Sequence, residues 1–171
     1  PQICSEPMKM PGEIEFLEEE DFIEEEEVAE ENWGYGFGYS NDTIIITVPE
    51  PALWTCEEPW LYYFTVRMGG DVVESYFAMR KFSVEKDEEG IPRICLNGKP
   101  RFQNGVLDQG YWPEGLYTAP SDEAMIFDIE EMKKTGFNMV RKHIKIEPQR
   151  WYYHCDRLGM IVWQDMVNGG G

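Results

Sequence analysis

The sequence is short of basic side chains: 15 lysines and arginines stand against 33 aspartates and glutamates, for a formal net charge of -18 at pH 7. Such a balance repels nucleic-acid phosphates and anionic membrane surfaces, so neither is an expected partner. Long apolar runs are missing as well. No stretch of 18 apolar residues occurs, and no basic segment leads into a short apolar one, so neither a membrane span nor a signal peptide is expected within the chain. Cytoplasmic and secreted or periplasmic settings both stay open.

Cysteine is sparse, and its spacing excludes more than its number. Cys4, Cys56, Cys95 and Cys155 are scattered, with no CxxC pair and no zinc-like spacing. They are expected as buried free thiols rather than as disulfides or metal ligands. A glycine-rich phosphate loop, a GxSxG elbow and an HExxH helix are all missing, which removes the corresponding nucleotide, serine-hydrolase and metalloprotease chemistries. No cofactor and no metal are expected.

What is present is enough to fold. The 171 residues are 42% hydrophobic, 14% aromatic and 28% charged, which fits one large or two small globular domains. The acidic excess is concentrated in residues 13–31, "EIEFLEEEDFIEEEEVAEE", which hold 12 acidic and no basic side chains. Like-charge repulsion argues against one long helix there and leaves edge strands, short helix or a partly ordered acidic segment. "WGYGFGYSNDT" at 33–43 reads as a hairpin or an aromatic loop.

Strand signals follow. "TIIITV" at 43–48 is rich in β-branched residues and stopped by Pro49 and Pro51. "WLYYFTVRM" at 60–68 and the imperfectly alternating 72–86, which needs a bulge or bend, complete what reads as the later half of an antiparallel β-sandwich. A small α+β domain is the alternative. Asn97-Gly98 marks a hairpin between "RICL" and "KPRFQ".

Beyond that hairpin the period changes. "SDEAMIFDIEEMKKTG" predicts a helix capped by Ser121, with Met125, Ile126, Ile129 and Met132 facing inward, Lys133 and Lys134 at its negative end and Gly136 stopping it. "FNMVRKH" predicts a buried strand, "EPQRWYYHCDRLG" a helix with Pro148 near its first position, and "MIVWQDM" another buried strand. With "RFQNGVL" counted first, the order is strand, helix, strand, helix, strand, which predicts a parallel sheet with covered faces.

In such sheets chemistry collects at the carboxyl ends of the strands. The residues placed there are Asp108, Gln109, Tyr111 and Trp112, then Arg141, Lys142 and His143, then Gln164, Asp165 and Asn168. Arg141 and His143 share one side of an extended backbone and Lys142 takes the other. Arg141 reads either as a site residue paired with a carboxylate or as a structural ion-pair partner; His143 reads either as a ligand contact or as a satisfied strand-end residue. Trp112 is the best placed tryptophan for stacking on a sugar, whereas Trp151 and Trp163 read as packing. Asp108 and Asp165 are the only acids at strand ends, but a catalytic carboxylate pair made of these two is disfavoured.

Several motifs, in order, resemble glycoside hydrolase family 2, the β-galactosidase, β-glucuronidase and β-mannosidase group: "LW" at 53–54, "EPWLY" at 58–62, "MRKFSV" at 79–84, "LNGKP" at 96–100, "DIEEMKKTGFNMVRKH" at 128–143 and "WYYHCDRLGMIVWQDM" at 151–166. The resemblance covers about residues 43–168. It implies an immunoglobulin-like β-sandwich portion over 43–90 and a linker hairpin with the first three β/α units of a TIM barrel over 91–171; the acidic and aromatic segment over 1–42 lies before it and is left unassigned, with early sandwich strands as one reading. It also implies a retaining hydrolase of β-linked glycosides with a carbohydrate substrate and a possible homo-oligomeric assembly.

By the same resemblance both catalytic glutamates lie on later barrel strands. The family's acid/base follows an asparagine, and no Asn-Glu dipeptide occurs after residue 143. The candidate site-lining residues are Arg141, His143, Asp108, Gln109, Trp112 and Asp165. Arg141 matches the family arginine at the end of the second barrel strand and Asp165 an acidic position after the third. Ile144 stands where the family histidine is usual, one residue beyond His143, and Gln109 replaces a histidine of the galactosidase branch. A noncatalytic carbohydrate-binding or interaction module is the alternative function, with Trp112 and the aromatics at 33–39 as its contact surface.

Overall fold

The computed structural model describes residues 43–168 throughout and, before them, the strand backbones of 13–16 and 36–38. The rest of the acidic stretch and most of the 33–43 aromatic segment lie outside the described residues, as does Cys4. Two compact units are present: one holds the described residues up to Ala52 with Leu61–Met79, the other Leu53–Trp60 with Arg80 onward. Along the chain the units therefore change at 52/53, 60/61 and 79/80.

The first unit is a four-stranded sheet of β1 (Glu13–Phe16), β2 (Gly36–Gly38), β3 (Tyr62–Met68) and β4 (Asp71–Phe77), in the order β2-β1-β3-β4. β3 and β4 pair antiparallel around Gly69-Gly70, and cross-strand aromatic pairs reinforce them, with Tyr62 and Phe77 stacked at 5.2 Å between centroids. β1 runs parallel to both β2 and β3, so this sheet is mixed rather than antiparallel throughout. Residues 43–48 form no strand despite their β-branched run: Ile45 is exposed, and no strand among the described residues pairs with the segment. The long strand expected over 72–86 is interrupted at 78–81, and its two halves enter different sheets.

In the second unit β5 (Phe82–Lys86), β6 (Pro92–Leu96) and β7 (Lys99–Pro100) form an antiparallel meander. The β6–β7 turn is Asn97-Gly98, both at positive φ (53° and 75°), the geometry that Asn-Gly favours. Asn97 also accepts from the Lys81 N–H and donates to the Trp54 carbonyl. Trp54 is fully buried, donates through Nε1 to the Asp156 carbonyl at 2.7 Å, and lies under the Arg80 guanidinium, which pairs with the Asp156 carboxylate at 2.8 Å.

The remainder is a parallel sheet in the order β10-β9-β8, made by β8 (Gly105–Asp108), β9 (Met139–Lys142) and β10 (Ile161–Gln164), with α1 (Asp122–Lys134) between the first two and α2 (Gln149–Leu158) between the last two. Ser121 caps α1 through the Ala124 N–H, and Met125 and Ile129 from its stripe are buried against Val140, Trp151, Cys155 and Met160. Lys133 serves the other helix rather than its own, donating to the Leu158 carbonyl at the end of α2 and, across from it, to the Cys56 carbonyl at 2.8 Å. Pro148 is the N-cap of α2, one position earlier than expected, and Gly159 ends that helix at φ +77°. The described cysteines, Cys56, Cys95 and Cys155, are buried free thiols.

Candidate functional site

Register decides what the strand ends present. Leu107, Arg141 and Trp163 form one row across β8, β9 and β10; Asp108, Lys142 and Gln164 form the next. Successive rows point to opposite faces. Val140 and Lys142 face the helices and are buried, whereas Arg141 and its row stand exposed on the open face. Backbone bonds from His143 N to Asp108 O and from Asp165 N to Lys142 O carry the ladder one residue further, returning His143 and Asp165 to the face of Arg141.

On that open face Arg141 and Asp165 form a two-point ion pair, Nε to Oδ1 and Nη2 to Oδ2, both at 3.0 Å. His143 Nδ1 meets the same Oδ2 at 3.1 Å. One carboxylate therefore orients two nitrogen-bearing side chains from the adjacent strand. The Arg141 guanidinium, with His143 behind it, holds the Asp165 carboxyl below the usual carboxylate range. The chain bends directly after this cluster, since Ile144 adopts φ +45°, an uncommon conformation for a β-branched residue.

The helix-facing side carries a second, closed network. Lys142 is 1% exposed. Its Nζ donates to Asp108 Oδ2 and, at 2.9 Å, to Glu147 Oε1, and lies 4.2 Å from the centroid of the Trp151 ring. Lys145 reaches the same Glu147 oxygen at 2.8 Å and donates to the Gly110 carbonyl at 2.7 Å. Asp108 closes the set by accepting from the Gly110 N–H at 2.6 Å. A buried ammonium with two carboxylates and an aromatic face around it is a structural staple joining the β8 and β9 loops.

The candidates predicted from sequence therefore divide. Arg141, His143 and Asp165 are brought together. Asp108 lies on the other face with Lys142, so Asp108 and Asp165 do not form a pair. Gln109 is exposed in the β8–α1 loop, while Trp112 is half-buried, packs against the core and forms a backbone bridge with Leu116. Trp163, expected in the core, is instead half-exposed in the row of Arg141 and donates through Nε1 to Gln103. Trp151 is buried packing, as expected. Sequence reasoning passed over Glu147; the signal for it was Lys142, since a lysine at an inward strand position requires a carboxylate nearby. Among the described residues no cluster of three His, Cys, Asp or Glu side chains is arranged to hold a metal ion, and no helix is long and apolar enough to cross a membrane.

Comparison with known proteins follows the same outline. Residues 11–80 match the family model for glycosyl hydrolases family 2. The chain is 33% identical over 126 residues to a β-galactosidase of Lactococcus lactis subsp. lactis, a match covering 70% of this chain and 12% of that protein. It is 38% identical over 132 residues to β-galactosidase 2 of Enterobacter cloacae, again 70% of this chain and 12% of the relative. The chain thus spans about an eighth of the length of these relatives. Its fold is similar to that of the GH2 β-galacturonidase from Eisenbergiella tayi bound to galacturonate, with a TM-score of 0.63 at 23% identity over 73% of this chain and 21% of that one.

Proposed function

Because this chain belongs to glycosyl hydrolase family 2, we propose that it is the part of a β-glycosidase that leads from an immunoglobulin-like sandwich over 43–90 into the first three β/α units of a TIM barrel over 91–171, with 1–42 preceding the sandwich. The activity of the whole protein is hydrolysis of a β-linked glycoside, and its substrate is a carbohydrate. What carries this reading is the Arg141–Asp165–His143 cluster at the carboxyl ends of adjacent parallel strands, the end where such folds gather their chemistry.

In this reading the cluster is a wall of the sugar site. A guanidinium locked by a two-point carboxylate keeps N–H groups aimed in a fixed direction, so a sugar hydroxyl or a catalytic carboxylate meets a donor that needs no reorganisation. His143, tethered through Nδ1, leaves its other ring nitrogen for a ligand hydroxyl. The proton donor and the nucleophile are two glutamates supplied by later strands, about 5 Å apart in a retaining enzyme. Glu147 is the only glutamate after residue 143 and is held in the Lys142 network, away from this face. This chain by itself therefore lacks both groups.

The test is the stereochemistry of the full-length protein's reaction, followed by proton NMR on an aryl β-glycoside. The expected first product is the β-anomer of the free sugar. An α-anomer appearing first, or no hydrolysis of any β-glycoside, contradicts the reading.

A further inference from the structure

The loop after β8 carries a pair of aromatic rings that the Arg141 cluster does not use. Tyr111 and Tyr117 are 58% and 57% exposed. Their rings lie 4.7 Å apart between centroids at an interplanar angle of 39°, and their hydroxyls meet at 2.5 Å. The packing of exposed rings leaves apolar faces toward solvent, while the joined hydroxyls form a polar edge.

The loop beneath them is built to hold this arrangement. Trp112 and Leu116 exchange backbone hydrogen bonds at 2.7 and 2.9 Å, and the Thr118 N–H closes onto the Gly115 carbonyl at 2.9 Å. Leu116 adopts φ +53°, and a Cβ on Gly115 would lie 2.2 Å from the Thr118 carbonyl oxygen. From the β9–α2 loop, Lys145 donates to the Gly110 carbonyl and sets its ammonium 5.5 Å from the centroid of the Tyr117 ring. The pair is therefore fixed to the same loop staple that involves Lys142 and Glu147, at the strand ends that carry Arg141.

We propose that Tyr111 and Tyr117 form a carbohydrate subsite that takes a pyranose ring of a β-linked glycan, at the carboxyl end of the same parallel sheet. The pyranose offers an axial C–H face to the aromatic rings and hydroxyls to the phenol edge, and that combination is what this pair displays. The hydrogen bond shared with Tyr117 holds the Tyr111 phenol above its ordinary range, so it stays neutral through the working range of pH. The proposal rests on the glycosidase reading for the identity of its ligand but is read by binding, whereas that reading is tested by turnover.

The experiment is a titration of the full-length protein with thio-linked analogues of lactose and cellobiose, which bind without being cleaved, followed by saturation-transfer NMR. Tyr111→Ala combined with Tyr117→Ala is expected to weaken binding about tenfold. Tyr111→Phe with Tyr117→Phe, which keeps the rings, is expected to recover most of it. Unfolding temperatures should stay level, because both side chains are exposed. Equal affinity in the wild type and the double alanine variant, or saturation of neither disaccharide, overturns the proposal whether or not the protein hydrolyses a glycoside.

Discussion

Arg141 and Asp165, from the ends of neighbouring parallel strands, hold each other at two points 3.0 Å long, and His143 shares the same carboxylate. A planar fork matches a carboxylate in this way and a lysine does not. Arg141→Lys in the full-length protein is therefore expected to lower kcat/KM on an aryl β-glycoside by about tenfold or more, because the charge remains but its direction is lost. The unfolding temperature should hardly move, since the pair is open to solvent. Steady-state kinetics beside a thermal melt separate the two effects.

The same pair predicts a response to acid. The hydrogen bond from Arg141, then that from His143, lowers the Asp165 carboxyl from its ordinary value of 3.8. A lowered folded value means that the contribution of the pair is complete above the unfolded value and is lost as pH falls through the folded one. Carboxyl NMR of Asp165 should give a midpoint below 3.8, and Arg141→Ala should bring it back toward that value. A midpoint above 3.8 in the unsubstituted chain contradicts this geometry.

Lys142 predicts the opposite balance between stability and activity. Removing one partner from a buried ionic set leaves the others desolvated and unpaired, which costs about 3–5 kcal/mol. Lys142→Met is expected to destabilise the protein by that order in a denaturant titration, through Glu147, which is 7% exposed. Adding Glu147→Gln should recover part of the loss, because it removes the orphaned charge.

Gly159 marks a steric limit. It ends α2 at φ +77°, and a Cβ there would lie 2.3 Å from the Cys56 carbonyl oxygen. Backbone cannot give way as a flexible side chain does, so Gly159→Ala should cost about 1–3 kcal/mol, read from the same titration.

Much of the α/β half was legible because local signals agreed with one another. Ser121 is a helix cap, the Met125 and Ile129 stripe is buried, and strand, helix and strand follow in the order that a parallel sheet requires. Alternation also placed Arg141 and His143 on one side and Lys142 on the other. Chemistry that depends on register was harder to read. Asp108 could be placed at a strand end, but its face depends on pairing with Lys142, which no single segment encodes. Trp163 read as core because its strand is apolar, yet its row opens to solvent beside Arg141. The 43–48 run shows the same limit from another side, since β-propensity needs a neighbouring strand before it becomes structure.

The most direct test of the central claim compares the full-length protein with the isolated 171-residue chain on a panel of p-nitrophenyl β-glycosides. The account predicts turnover by the full-length protein and none by the chain alone, because the proposed reading assigns the proton donor and the nucleophile to later strands. Turnover by the isolated chain that disappears on substituting Asp108 or Asp165 would contradict it.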